Sequence, residues 1–127
     1  MTEKDFRRIV MSMDGAIESA HMGHADFRAH GRIFATLRPE LTTFAVVMLT
    51  PEQQRQCLER SRAFTPESGA WGRSGCTRVQ FQDLDEDTVG EAVTLAWQNA
   101  AAKATRKSKP AVRKKAAPLA NKRAVRR

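Results

Sequence analysis

Apolar residues recur along this chain with two distinct periods. Phe6, Ile9, Val10 and Met13 fall at i, i+3, i+4 and i+7, which lays one apolar stripe along a helix predicted over residues 3–13. Thr2 is placed to cap that helix with Asp5 as its reciprocal acceptor, and Asp14-Gly15 to stop it. The period then shortens to two. Residues 26–38 read as a hairpin turning at His30-Gly31, two residues that tolerate positive φ. On its return strand, Ile33, Ala35 and Leu37 alternate with Arg32, Phe34, Thr36 and Arg38, and Pro39 closes it. Residues 43–49 are apolar on both faces and predict a central strand.

The strongest local signal is Thr50-Pro51-Glu52-Gln53. An N-cap threonine, a proline at the first helical position and a glutamine at the third start a helix of about ten residues, with Cys57 and Leu58 turned inward. Residues 66–75, rich in Gly, Ser and Pro, read as a loop. A further strand alternates Thr77, Val79 and Phe81 with Arg78, Gln80 and Gln82. A last helix starts near Asp85, with acids in its first turn where the helix dipole favours them. Its stripe of Val89, Ala92, Val93, Ala96, Trp97 and Ala100 assigns Trp97 to the core. The expected architecture is α+β: a small antiparallel sheet of about four strands with helices packed on one face. A chain of about a hundred residues can bury such a core without disulfides or metals.

At Ala102 the pattern ends. Residues 102–127 are mostly Ala, Lys, Arg and Pro and carry too little apolar surface to offset their ordering entropy, so the expected division is a folded domain at 1–101 and a disordered basic tail at 102–127. The charge divides at the same place. The whole chain is +8, yet residues 1–101 hold 11 Lys/Arg against 14 Asp/Glu, and 102–127 hold 11 Lys/Arg with no acid. The domain is therefore mildly acidic, and the basicity belongs to the tail. The charged start, Met1 to Asp5, is unlike a secretory leader, and no apolar run is long enough to span a membrane. The expectation is a cytoplasmic, monomeric protein with free thiols at Cys57 and Cys76, with association to a nucleoid within reach of the tail's charge.

Eleven cations on a flexible segment neutralise phosphates and release counterions without a fixed shape. They are Lys103, Arg106, Lys107, Lys109, Arg113, Lys114, Lys115, Lys122, Arg123, Arg126 and Arg127, and the expected partner is DNA, with RNA or another polyanion also fitting. A merely solubilising extension is the other reading. Arg28, Arg32, Arg38 and Arg78 fall on predicted strands and either form a basic sheet face or stand as solvated arginines. Trp71 and Arg73 lie in the glycine-flanked segment Gly69–Gly75. Trp71 there either anchors the loop by packing on the sheet or, with Arg73, forms a wing that stacks a base. His21, His24 and Asp26 are too closely spaced, and lack the further ligands, for a tetrahedral metal set, so neither metal nor cofactor is expected. No nucleophile–base pair, phosphate-binding glycine loop or carboxylate pair emerges, and the protein is not read as an enzyme.

Several segments together resemble the MmcQ/YjbR family: Phe6-Arg7-Arg8, His21 to Arg28, Gly31 to Leu37, Leu49 to Gln54, Gly69 to Gly75 and Leu95 to Asn99, in order over roughly residues 4–101. The resemblance implies a bacterial α+β domain of double-wing type with DNA binding as its function. Cys76 departs from the pattern, standing where relatives often carry tryptophan, and the basic tail lies outside it. The expectation is DNA binding of low sequence specificity, with affinity largely from the tail. The alternative is an interaction module whose sheet face around Arg32 and Phe34 meets a protein or small ligand. A continuous positive stripe through Arg28, Arg32, Arg73 and Arg78 would favour the first, and acidic interruption the second.

Overall fold

The computed structural model describes residues 1–21, 23–39 and 43–108, with backbone alone for His21 and 106–108. Helix α1 spans Glu3–Met11, two residues shorter than its stripe predicts, and opens with the expected capping box between Thr2 and Asp5. Three strands follow: β1 (Ile17–His21), β2 (His24–Ala29) and β3 (Arg32–Arg38). His30 and Gly31 take φ of 58° and 74° at the β2–β3 turn, the positive values that a tight two-residue hairpin requires. Strand β4 is Phe44–Met48, and α2 is Pro51–Arg60 with the Thr50/Gln53 capping box formed. Then come β5 (Phe64–Pro66), a five-residue helix α3 (Gly69–Arg73) and β6 (Cys76–Val79). A 3₁₀ turn at Phe81–Asp83 leads to α4 (Glu86–Ser108), whose Thr88 amide donates to Asp85 Oδ1 at 2.7 Å.

The described strands form one antiparallel sheet in the order β1-β2-β3-β4-β6-β5, six rather than the expected four. The two extra strands are its edges. The expected loop at 66–75 instead begins with the end of β5 and holds α3, and the strand predicted to reach Gln82 ends at Val79. Strand β4 sits inside the sheet between β3 and β6, as its two apolar faces predict. Ala45 and Val47 enter the main core with Phe6, Val10, Phe27, Leu37, Val79, Phe81 and the α4 stripe Val89, Ala92, Val93, Ala96 and Ala100. Phe44 and Val46 face the other way and form a second cluster with Cys76 and the partly buried Met48. Trp97 is only partly buried; its Nε1 donates to the Asp14 carbonyl at 2.8 Å and its ring meets His30 at 5.7 Å.

The alternation predicted for β3 fails at its middle. Phe27 pairs with Ala35, but the next residue, Arg28, pairs with Ile33, so Phe34 is an extra residue in a β-bulge. The bulge turns Phe34 into the main core with no exposure and leaves Ile33 37% exposed on the opposite face. Phe34 therefore cannot belong to a partner-binding sheet surface. Helix α4 continues to Ser108, so residues 102–108, expected in a disordered tail, form its last turns.

Candidate nucleic-acid interface

Cross-strand partners share a face, and the register sorts the candidate arginines. Arg28 pairs with Ile17 and Ile33, Arg38 with Phe44, and Arg78 with Val46 and Thr65; all three lie on the sheet face away from the main core. Arg32 pairs with Ala29, which is buried in that core, so it points to the other side and is not part of the set.

The three arginines that share the face do not leave it uniformly positive. Asp26, 1% exposed, is two residues from Arg28 on the same strand and accepts from its Nε at 3.0 Å and from its Nη2 at 3.3 Å. Glu67, with a carboxylate 8% exposed, accepts from Arg38 Nη1 at 2.8 Å and from Arg78 Nε at 2.6 Å. Burial pushes the Glu67 carboxyl upward, but the Arg78 hydrogen bond, the Ser68 amide and the charges of Arg78 and Arg38 outweigh it and hold the pKa low. Phe44 packs beneath both guanidiniums, 5.8 Å from Arg38 and 4.7 Å from Arg78. The stripe is thus interrupted at Asp26 and Glu67. Only Asp26 carried a sequence signal, as a carboxylate within a strand where a buried position needs a cation to meet it; Glu67 lies just past β5, in a segment that reads as a loop.

Trp71 does not anchor a loop: it is 69% exposed on α3. The helix is instead seated through Gly72, where a Cβ would lie 1.7 Å from the Glu67 carbonyl oxygen, and through Gln54, whose Nε2 donates to the Gly72 and Cys76 carbonyls at 3.0 and 2.9 Å. Arg73 is exposed on the same helix, with no ion pair among the described residues. Cys76, which departs from the pattern of the resemblance, is buried with its Sγ 3.4 Å from Met48 Sδ. Of the tail cations, Lys103 is exposed near the end of α4, Arg106 and Lys107 are placed by backbone only, and Lys109, Arg113, Lys114, Lys115, Lys122, Arg123, Arg126 and Arg127 lie outside the described residues.

An open groove of about 680 Å³ between α1 and α4 is lined by Ile9, Met13 and Leu95 together with Glu86, Asp87 and Glu91. Arg8 and Arg60 pair with Glu86 and Glu91 at its rim. His24 and Asp26 lie on β2, while Met22 and the His21 side chain are outside the described residues. Among the described residues no three His, Cys, Asp or Glu side chains converge as a metal site, and no helix is long and apolar enough to cross a membrane.

A family model described as YjbR matches residues 11–99. That range covers the sheet and most of α4 but stops short of the basic segment. A crystal structure of a protein from Pseudomonas syringae has the same fold at a TM-score of 0.63 and 13% identity, over 79% of this chain and 99% of that one. No curated protein matches the chain.

Proposed function

Since the chain belongs to the YjbR family, and since its family domain and its positive charge occupy different stretches of sequence, we propose that it binds DNA with low sequence specificity, chiefly through residues 102–127. One observation carries this reading: half of the 22 Lys/Arg fall in the last 26 residues, where there is no acid. Cations so concentrated gain affinity by releasing the counterions of a polyphosphate, whatever its sequence. Low specificity fits the domain, where the Arg and Gln side chains of α2 already have partners: Arg55 pairs with Glu52 and Glu59, Gln56 donates to Glu52, Gln54 donates to the Gly72 and Cys76 carbonyls, and Gln53 bonds Asn99. Trp71 and Arg73, exposed on α3, are the domain residues best placed to add a stacking and a phosphate contact.

Fluorescence anisotropy at several salt concentrations tests the reading, comparing the full chain with a chain ending at Ser108, which keeps α4 whole. The shorter chain loses 8 of the 11 cations. If all of them meet duplex phosphates, the log–log salt slope falls in magnitude by roughly 7, and by less with partial engagement. Equal affinity and equal slope for the two chains would refute it.

A second reading is favoured by Asp26 and Glu67, which pair with the sheet arginines and interrupt their positive stripe. On that reading the domain is an interaction module that leaves DNA to the tail. A chain ending at Ser108 that keeps no DNA affinity at low salt supports it.

A further inference from the structure

Two of the sheet arginines are held differently from the third. Asp26 closes on Arg28 with both oxygens, taking its Nε–Nη2 edge and balancing its charge one to one. Glu67 takes a single N–H from each of its partners, Nη1 of Arg38 and Nε of Arg78. A guanidinium carries five N–H donors, and the other donors of these two meet no acceptor among the described residues. Both side chains are 34% exposed, so each is open to solvent in part. Phe44 closes one face of each guanidinium and limits how they turn. Two cations around one buried carboxylate leave a net positive charge. Thr65, exposed and opposite Arg78 in register, places a hydroxyl beside it.

We propose that Arg38 and Arg78, bridged by Glu67 above Phe44, form a binding site for a phosphate oxyanion on the sheet face away from the main core. Glu67 orders the two forks and weakens the site by its own charge. The inference rests on the nucleic-acid reading only for the source of the phosphate, a strand of DNA, and not for the site itself.

The test titrates inorganic phosphate into the isotope-labelled full chain at constant ionic strength and follows the arginine Nε–Hε resonances. Saturable shifts at Arg38 and Arg78, with Arg28 unmoved, are expected. Arg78→Lys keeps the charge but loses the fork, and should raise the phosphate midpoint read at Arg38 roughly ten-fold. Glu67→Gln should lower it by about the same factor, since it removes a competing charge. If Glu67→Gln does not fold, Arg78→Lys decides alone. Shifts that rise alike at every arginine without saturating, or an unchanged Arg38 midpoint in Arg78→Lys, overturn the site. Displacement of phosphate from both arginines by a single-stranded oligonucleotide supports the site and identifies its phosphate as nucleic acid. Saturable phosphate binding that the oligonucleotide does not displace supports the site with a free phosphate as its ligand, and removes this face from the DNA reading.

Discussion

The bulge in β3 can be tested by asking which of two adjacent side chains is in the core. Regular alternation buries Ile33 and exposes Phe34, whereas the register break at Phe27/Arg28 does the reverse. Phe34→Leu removes part of a ring that is fully enclosed among core residues. Truncations of this kind lose transfer energy and leave a partial cavity, so a cost of about 1–2 kcal/mol is expected, toward the low end because leucine refills some of the volume. Ile33→Thr keeps the β-branched shape while adding a hydroxyl. On the exposed face that hydroxyl is solvated and the cost stays under about 1 kcal/mol. In the core it would be unpartnered, raising the cost to roughly 2–4 kcal/mol. Urea unfolding followed by circular dichroism separates the cases, and in a thermal melt each kcal/mol corresponds to about 4–8 °C for a domain of this size. If Ile33→Thr proves more destabilising than Phe34→Leu, the bulge is wrong and the strand alternates as its sequence suggests.

Gly75 has φ of +118°, and a Cβ there would lie 2.1 Å from the Leu49 carbonyl oxygen, so Gly75→Ala should destabilise by at least about 2 kcal/mol in the same urea assay. Burial raises the pKa of both Cys57 and Cys76, so the native protein should react with a thiol reagent at pH 8 far more slowly than the urea-unfolded chain; native reaction at the unfolded rate would contradict their burial. The folded Glu67 pKa lies below its usual value near 4.5, so its contribution to stability is complete above that pH and is lost as pH falls through the folded value. The urea midpoint of Glu67→Gln should therefore fall less steeply with acid below about pH 4.5 than that of the parent chain.

What lay within a few residues of chain was legible from sequence. The Thr50-Pro51-Gln53 cap, the His30-Gly31 turn and the α4 stripe each combine groups that meet inside one turn of helix or one hairpin, and each forms as its residues predict. The edge strands escaped notice because edges need little apolar pattern. In β1 only Ile17 and Ala20 are aliphatic, Ile17 is itself exposed, and β5 is three residues ending in Pro66. The candidate site was legible in composition but not in charge state. The strand arginines were visible one by one, whereas Glu67 reaches Arg38 across 29 residues and Arg78 across 11. No local spacing records such a pairing.

The sequence by itself determined the α+β class, the helix caps, the central strand and the separation of a mildly acidic domain from a basic C-terminal segment, because each depends on composition or on contacts a few residues apart. Only the tertiary structure decided that Phe34 rather than Ile33 is buried, that Trp71 is exposed, that Arg32 faces away from the other sheet arginines, and that Glu67 holds two of them. Those outcomes depend on register between strands and on which distant carboxylate a strand brings opposite a cation. A one-residue shift in pairing reverses every face, so they follow only once the whole sheet has formed.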